Sequence, residues 1–377
     1  MVMRRYDIDS LRVIAFGLLI FYHVGMFFVP WWFHIKNPVT YEGLTYPMLF
    51  LNQWRLPLLF VISGMGTYYA LTRRSGFQFT KERIKRLFVP LIVGMVFIIP
   101  PQVYFERLDK GQFAGSYFFD YWPRVALSGV YPEGNISWHH LWFILYLFIF
   151  SIVLVPVFLY LQKHPETWII RKIKSISLKY TGLYIFTVPL FLWQILLAPY
   201  YPQTNGLIND WYNLINYGTL FFFGYLLISL KDAFWTSVTQ NRQKYLVSGI
   251  MSFPLLMCLW YITGDFAGKE YITALVRVFN SWSWILTLFA YSAIYFNKPS
   301  KILSYANEAV YPFFILHQTV MMGLCYYLKD IDMGFFAKFS ILSIGTFGIS
   351  WIIYEFGIRR YPLIRPLFGM KPKAKNP

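Results

Sequence analysis

The feature that most limits the fold of this chain is its first long apolar stretch. Two residues within that stretch are costly to bury in a membrane. The stretch DSLRVIAFGLLIFYHVGMFFV is long enough to cross a bilayer, yet it contains Arg12 and His23. Eleven helical steps, each of about 100° and about 1.5 Å, would place both residues on nearly one face, roughly 16 Å apart. Such residues inside a span suggest function, whereas a snorkelling arginine and a packed histidine would explain this helix equally well.

Apolar composition extends this interpretation to the whole chain. Hydrophobic residues make up 57% of the chain, charged residues 14%, and mean hydropathy is +0.46, so we predict an all-α polytopic membrane protein rather than a soluble domain. One integral-membrane domain is expected over residues 1–377, with no soluble domain and no cleavable signal peptide. About ten helices are predicted around a central cavity, with spans at about 9–29, 46–72, 87–105, 140–161, 181–199, 211–230, 245–263, 271–296, 307–328 and 335–357.

Positive charge alternates between successive loops and predicts the orientation. The N-terminus, the even-numbered loops and the C-terminal tail hold 24 of the 34 lysines and arginines, whereas the odd-numbered loops hold six. The remaining four fall inside spans and are Arg12, Arg55, Arg277 and Lys338. Positive residues favour the cytoplasmic side, so both termini should be cytoplasmic. No nucleic-acid partner is expected, because the cations alternate from loop to loop and do not form one patch.

The predicted loop 106–139 is the longest connection on the outer side and is rich in aromatic rings. These rings are Phe113, Tyr117, Phe118, Phe119, Tyr121, Trp122, Tyr131 and Trp138. They would suit packing against a carbohydrate, and they would equally suit an aromatic belt at the membrane interface. Both interpretations stay open.

The six histidines differ in their predicted surroundings. His34 and His164 lie in loops and should be solvated, whereas His23 and His317 fall inside spans. The pair His139–His140 opens the fourth span from its outer end, so these histidines could meet the intramembrane ones in one cavity. An apolar site favours the neutral imidazole, which a general base requires. A packing histidine with one hydrogen bond is the alternative, above all for His317.

A basic loop, TRRSGFQFTKERIKRLFVP, follows the second span. Its cations are Arg73, Arg74, Lys81, Arg83, Lys85 and Arg86. Arg83 and Arg86 are three residues apart and should share one helix face as the third span begins. Clustered guanidinium groups suit phosphate binding, although the orientation rule by itself also accounts for positive charge here.

Few other motifs point to chemistry. The chain lacks GxSxG, Walker A, HExxH and GxGxxG patterns. Cys258 and Cys325 lie in apolar segments and provide neither a disulfide framework nor metal-ligand spacing. Two Asp-x-Asp pairs, Asp7–Asp9 and Asp330–Asp332, are of a type that can hold a divalent metal, but carboxylates are also common at helix ends.

Together these segments resemble the membrane acyltransferase family 3. The Arg-x10-His pattern in LRVIAFGLLIFYHVG, the second-span stretch RLPLLFVISGMGTYY and the Arg-x-x-Arg of RIKRLFVPL are similar to that family's motifs, in the same order. The HLWF sequence at 140–143 and the Tyr311–His317 stretch also resemble family segments, so the resemblance covers nearly the whole chain. YDIDSLR and HLWF are most similar to the branch of periplasmic-glucan succinyltransferases.

The resemblance implies an integral-membrane, acyl-CoA-dependent O-acyltransferase in the bacterial cytoplasmic (inner) membrane. An acyl group, acetyl or succinyl, would pass from cytoplasmic acyl-CoA to a hydroxyl of an extracytoplasmic glycan. His23 would be the general base, and Arg12 would line the inner mouth of the cavity. The implied acyl-CoA-binding residues are Arg83, Arg86, Arg73 and Arg74, and those implied for the oxyanion, the acyl group or the acceptor are Arg55, His140, Arg277 and His317.

The expected partners are acyl-CoA, the carbohydrate acceptor and the lipid bilayer. No metal and no permanently bound cofactor is expected, and a homo-oligomer is left open. Some family members carry a fused soluble SGNH hydrolase domain. We expect none here, so the membrane part should act alone or pass its product to a separate protein.

Two other functional classes stand as alternatives. A transporter of an anionic solute or a lipid-linked sugar would also suit ten spans with buried cations, but the two halves of the chain show no convincing repeat. A glycosyltransferase that uses a lipid-linked sugar would need a metal at Asp7 and Asp9, whereas acyl transfer needs none.

The orientation leads to a labelling prediction. In a background without Cys258 and Cys325, Ser116→Cys should react with a membrane-impermeant maleimide in intact spheroplasts. Ser75→Cys should react only after permeabilisation, because the two positions lie in loops on opposite sides of the membrane. A gel shift measures the reaction. Labelling of both positions in intact cells, or of Ser75→Cys alone, would contradict the orientation.

Overall fold

Helices make up nearly all of the regular structure. A computed structural model describes residues 4–122, 124–180 and 182–372. The helices are α1 (Tyr6–Phe28), α2 (Glu42–Leu71), α3 (Gly76–Asp109), α4 (His139–Val153), α5 (Val155–Lys163), α6 (Trp168–Ser177), α7 (Gly182–Leu196), α8 (Trp211–Ser229), α9 (Asp232–Gln240), α10 (Arg242–Tyr261), α11 (Lys269–Tyr295), α12 (Lys301–Leu328) and α13 (Phe335–Ile358). Among the described residues there is no β-strand, only one bridge between Val130 and Ile136, so the predicted all-α class is confirmed.

The number of spans is close to the predicted ten but lower. Within the described ranges, seven helices are each long and apolar enough to cross a membrane, namely α1, α2, α3, α10, α11, α12 and α13. Two bent pairs, α4 with α5 (48°) and α8 with α9 (101°), raise the number to nine if each pair is one span. The predicted span 181–199 is helical only as the shorter α7. The count of ten is therefore approximate.

The chain divides into two compact units. Among the described residues, the first unit contains the residues up to Ala15 together with Phe50–Thr80 and Ile149–Leu303. The second unit contains Phe16–Leu49, Lys81–Phe148 and the residues from Ser304 onward. The expectation of one domain over the whole chain stays a prediction.

Close backbone contact holds α2 against α8 in the first unit. A Cβ atom on Gly64 would lie 1.8 Å from the carbonyl oxygen of Phe221, and one on Gly224 would lie 1.9 Å from that of Val61. Only glycine permits such an approach, and small residues serve the same purpose in membrane helix pairs generally. The two glycines therefore set how closely these helices pack.

An apolar cluster forms the core of one end of the second unit. Its buried members are Val24, Phe27, Phe28, Phe33, Ile35, Met321, Met322, Cys325 and Leu342. Lys338 is buried near this cluster, and its Nζ donates to Asn37 Oδ1 (2.9 Å) and to the Lys329 carbonyl (3.0 Å). Paired in this way, the ammonium group avoids the cost of an unsatisfied buried charge.

Helix α3 is interrupted by two π-helical turns, Ile84–Phe88 and Gly94–Ile98. Pro100 lacks an N–H, so the Val96 carbonyl has no helical donor and instead accepts from the indole Nε1 of Trp122 (3.3 Å). The Ile98 carbonyl accepts from the hydroxyl of Thr319 (2.7 Å). Side chains from other segments thus satisfy the carbonyls that the irregular part of α3 leaves open.

The glycine contact between α2 and α8 leads to a stability prediction. Gly64→Ala should lower the free energy of unfolding by about 2 kcal/mol or more, because the added methyl meets backbone that cannot move aside cheaply. Gly348→Ala is the matched control, since it also lies within a helix but a Cβ there meets nothing within 4 Å. Thermal unfolding in detergent compares the two variants. Equal melting temperatures would show that the contact does not determine the packing.

Candidate functional site

Two histidines from different helices meet in the second unit. His23 Nδ1 of α1 lies 2.8 Å from His317 Nε2 of α12, and the two rings are stacked with centroids 5.0 Å apart. His317 is fully buried, whereas His23 is partly exposed. The predicted meeting of these two intramembrane histidines is therefore found, and the contact joins their rings directly.

Backbone carbonyls determine the protonated nitrogen of His317. His317 Nδ1 lies 2.8 Å from the Phe314 carbonyl and 3.2 Å from the Phe313 carbonyl, which can only accept. Nδ1 of His317 must therefore carry a hydrogen, and in the neutral ring its Nε2 carries the lone pair. That nitrogen can then only accept from His23, so Nδ1 of a neutral His23 is the donor and its Nε2 carries the lone pair.

His140 joins the same turn of α12. Its Nε2 donates to the carbonyls of Phe314 and Ile315, at 3.1 Å each, and its ring lies 5.1 Å from that of His317 between centroids. Its Nδ1 can then accept from Gln102 Nε2, although the separation of 3.5 Å is long. His140 is thus close to the His23–His317 pair, with its Nε2 bonded to backbone.

Gln102 extends this network into α3. Its amide nitrogen donates to Thr319 Oγ1 at 2.6 Å, and Thr319 in turn donates to the Ile98 carbonyl. Gln102 is fully buried, and its Oε1 has no hydrogen-bond partner in the part of the chain that the structure describes. The histidines therefore lie within a hydrogen-bonded network that includes Gln102 and Thr319, two residues that the motif analysis did not identify.

A second polar cluster lies one helical turn further along α3, at Glu106. His34 Nδ1 donates to Glu106 Oε2 at 2.7 Å, and the rings of His34 and His139 stack with centroids 4.5 Å apart. Lys110 Nζ and the Tyr131 hydroxyl both donate to Glu106 Oε1. The prediction that His34 is solvated is wrong, because its side chain is 11% exposed and packs into this cluster.

His164, by contrast, is exposed as predicted.

The segment from Gln112 to Trp138 folds back onto the end of α3. Arg107 donates to the carbonyls of Pro132 and Gly134, and Tyr121 is buried and donates to Asn135 Oδ1 (3.1 Å). Burial raises the pKa of the Tyr117 hydroxyl to about 12. Several of its other apolar residues stay highly exposed, namely Phe118, Phe119 and Val130. The choice between a carbohydrate surface and an interfacial belt stays open for these exposed side chains.

Part of the Arg86 guanidinium group is hydrogen-bonded to the C-terminal segment of the second unit. Its Nε donates to the Gly369 carbonyl (3.1 Å) and its Nη1 to Glu82 Oε1 (3.4 Å), while 41% of its side chain stays exposed. Arg83 and Arg86 both act electrostatically on Tyr311, whose buried hydroxyl has no hydrogen-bond partner among the described residues. The two predicted phosphate-binding arginines thus share one neighbourhood.

Arg12 belongs to a group of ion pairs at the start of α1, in the first unit. Its Nη1 contacts Asp9 Oδ1 at 3.1 Å, and Arg4 binds the other oxygen of the same carboxylate. Asp7 is buried and pairs with Arg5. Arginines therefore neutralise both carboxylates of the first Asp-x-Asp pair, which leaves them poorly suited to a divalent metal.

The remaining predicted arginines also lie in the first unit. Arg55 is 1% exposed, whereas Arg277 is exposed, and both act electrostatically on the hydroxyl of Tyr217. Arg73 is exposed, and Arg74 Nη1 donates to a carbonyl of its own helix, that of Ala70 (3.4 Å). Arg55 and Arg277 therefore share one neighbourhood within the unit.

Polar spacing in α3 is a signal that sequence reasoning missed. In PPQVYFERLD, Gln102 and Glu106 are four residues apart, so they lie on one helix face. Gln102 bonds His140, and Glu106 bonds His34, whose ring stacks on that of His139. The two polar clusters therefore lie on successive turns of α3. A polar i,i+4 pair near the end of an apolar helix would have identified both clusters.

Comparison with known proteins identifies the family. The model of the family described as "Acyltransferase domain", acyltransferase 3, matches residues 5–355. The chain belongs to the acyltransferase 3 family. Its relatives in that comparison include proteins named Glucans biosynthesis protein C from Salmonella schwarzengrund (strain CVM19633) and Salmonella enteritidis PT4 (strain P125109). Each is 24% identical over 99% of this chain and 96% of the relative.

Membership confirms the resemblance that the motifs predicted. The acyltransferase 3 match begins just before α1 and ends within α13, so it includes both histidines of the His23–His317 pair as well as Arg83 and Arg86. The relatives' name agrees with the predicted branch. The chain is therefore a membrane acyltransferase in class, with several helices apolar enough to cross a bilayer.

Proposed function

We propose that this acyltransferase moves an acyl group from cytoplasmic acyl-CoA to a hydroxyl of an extracytoplasmic glycan, with His23 as general base. The family supplies the reaction class, and the name of the relatives links them to glucans. The observation that carries the proposal is the hydrogen bond between His23 Nδ1 and His317 Nε2. It leaves the lone pair of a neutral His23 on Nε2, as a base requires.

His317 is the positioning residue of this mechanism. Its Nδ1–H is held by carbonyls of α12, and its Nε2 orients the ring of His23 and stabilises the charge that develops there. A buried acceptor behind a catalytic imidazole selects the tautomer and holds the ring in place. Here a neutral imidazole takes the part that a carboxylate plays in a serine hydrolase.

The proposed transfer is a single displacement. The acceptor hydroxyl gives its proton to His23 Nε2 while its oxygen bonds to the thioester carbonyl carbon. The carbon–sulfur bond then breaks, and His23 returns the proton to the departing thiolate, so that coenzyme A leaves as the thiol. Base catalysis of this kind contributes about 10²–10⁴-fold. No acyl-enzyme forms, which agrees with the absence of a persuasive serine or cysteine nucleophile near the motifs.

Arg83 and Arg86 would hold the phosphates of the donor on the cytoplasmic side. The exposed part of Arg86 and the shared neighbourhood at Tyr311 support this role, because paired guanidinium groups bind phosphate oxygens in fixed geometry. Arg73 and Arg74 would add positive charge to the entrance. Arg12 would line the inner mouth, with Asp9 holding its guanidinium.

The first-unit pair of Arg55 and Arg277 would serve the acyl group or the oxyanion. A succinyl group would suit these arginines better than an acetyl group, because its carboxylate can pair with a guanidinium group. His140 would line the acceptor end of the cavity beside His317. The proposed location is the bacterial inner membrane with both termini cytoplasmic, as the distribution of positive charge supports.

The alternatives gain less support. A metal-dependent glycosyltransferase would need open carboxylates at Asp7 and Asp9, and arginines occupy both. A carrier would use a histidine pair only as a proton relay, and it does not account for the family match. Acyl transfer accounts for the family and for the histidine pair together.

Substitutions at the two histidines separate catalysis from packing. His23→Gln should lower turnover by about 100-fold or more, because an amide cannot accept a proton at neutral pH. His317→Gln should retain much more activity, roughly a tenth of wild type, since its amide oxygen can still accept from His23 Nδ1. His317→Leu removes that acceptor and should fall further. Turnover is measured by transfer of radiolabelled acyl group to glucan.

Control measurements show whether a loss of turnover comes from misfolding. His164→Gln changes an exposed histidine and should leave turnover unchanged. Melting temperature and coenzyme A binding should stay near wild type in His23→Gln. An active His23→Gln enzyme would contradict this mechanism. Equal losses of turnover in His317→Gln and His317→Leu, with lowered melting temperatures, would also contradict it.

Donor binding tests the basic loop. Arg83→Ala and Arg86→Ala should each weaken coenzyme A binding about tenfold, because a hydrogen bond to a charged group contributes roughly 1.5–3 kcal/mol. Wild-type affinity should also fall with added salt more steeply than that of the double variant. Calorimetry measures both effects, and Arg171→Ala is the control because Arg171 is exposed on α6. Unchanged affinity in the double variant would mean that these arginines serve only orientation.

A further inference from the structure

We propose that His34, Glu106 and His139 form a site for a divalent transition-metal cation such as Zn²⁺. One ligand atom from each of these residues lies within 4.8 Å of the others, and the set of two imidazoles and one carboxylate is one that zinc uses. The proposal goes beyond the proposed acyl transfer and does not depend on it. It departs from the sequence-based expectation that no metal is bound.

The Nε2 atom of His139 is the observation that points to a ligand. His139 Nδ1 is paired with Ser137 Oγ at 2.6 Å, so only Nε2 faces the cluster. The side chain is 1% exposed, and Nε2 has no hydrogen-bond partner among the residues that the structure describes. A buried nitrogen in this position is costly unless a further group satisfies it.

Neither tautomer of His139 resolves this cost. With a hydrogen on Nε2, the nearest acceptor in the cluster, Glu106 Oε2, is 4.0 Å away, too far for a hydrogen bond. Without that hydrogen, a lone pair faces a carboxylate oxygen 4.0 Å away. A cation between the two atoms satisfies both. Ligand atoms on tetrahedral zinc lie about 3.4 Å apart, so the separation of His34 Nδ1 from Glu106 Oε2 would widen from 2.7 Å and that of His139 Nε2 from the same oxygen would shorten from 4.0 Å.

The surroundings of the three ligands resemble the outer shell of a metal site. Lys110 Nζ and the Tyr131 hydroxyl occupy Glu106 Oε1, which leaves Oε2 for the histidine side. Ser137 Oγ pairs with the second nitrogen of His139, as oxygen partners commonly do for metal-ligating imidazoles. At present His34 Nδ1 also bonds Oε2, and the cation would take the place of the hydrogen in that bond.

The site would join three segments that are distant in sequence. His34 belongs to the connection after α1, Glu106 to the end of α3, and His139 to the start of α4. Among the described residues the cluster offers three protein ligands, so a fourth position would be open to water or to a hydroxyl of a carbohydrate. The cation would hold these segments together next to Gln102, which lies on the turn of α3 just before Glu106.

Metal content and affinity of the full-length protein test the proposal. The protein is purified in detergent, stripped with a chelator, dialysed against Zn²⁺ or Mg²⁺, and analysed by mass spectrometry for bound metal. Wild type should bind about one Zn²⁺ and no Mg²⁺, because nitrogen ligands favour zinc. His139→Gln and Glu106→Gln should weaken Zn²⁺ binding at least about 100-fold. Ser137→Ala, which changes only the outer shell, should weaken it roughly tenfold.

Melting temperature supplies an independent measurement. Zn²⁺ should raise the melting temperature of wild type and of the control His164→Gln, and should leave that of His139→Gln unchanged. If wild type binds no Zn²⁺, or if His139→Gln and Ser137→Ala bind it as wild type does, the metal is an adventitious ion only and the proposal fails. Because no acyl donor is present, failure here leaves the proposed acyl transfer untouched.

Discussion

The hydrogen bond from His317 Nδ1 to the Phe314 carbonyl is the interaction on which the arrangement of the histidines depends. A carbonyl cannot donate, so the bond determines which nitrogen of His317 is protonated, and through His317 it determines the tautomer of His23. The same carbonyl also accepts from His140. One turn of α12 therefore organises three imidazoles.

Burial away from water explains why so many polar groups in the second unit are paired. Proline and π-helical turns open the hydrogen bonding of α3, and the side chains of Thr319 and Trp122 close it again. Gln102 and Glu106 project from successive turns of the same helix, where Gln102 bonds His140 and Glu106 bonds His34. Irregularity in α3 and the two polar clusters are thus parts of one arrangement.

Several cations of the chain are likewise paired, but with different kinds of partner. Arg12 is held by Asp9, Lys338 by an amide and a carbonyl, and Arg86 by the Gly369 carbonyl and Glu82. Arginines that neutralise Asp7 and Asp9 weaken the case for a metal there, whereas Arg55 and Arg277 both lie close enough to Tyr217 to act electrostatically on its hydroxyl. Position along the chain alone could not separate these roles.

Sequence by itself determined the all-α class, most of the helix bounds and the family, because apolar length and motif order are properties of the chain. It misjudged His34 and missed Gln102, and its count of ten spans was approximate. These depend on what each side chain meets: Glu106 draws His34 out of water, and backbone bends divide α4 from α5 and α8 from α9. Only the tertiary structure decided the tautomers, because a proton's position is set by its partner, and the partner of His23 is 294 residues away.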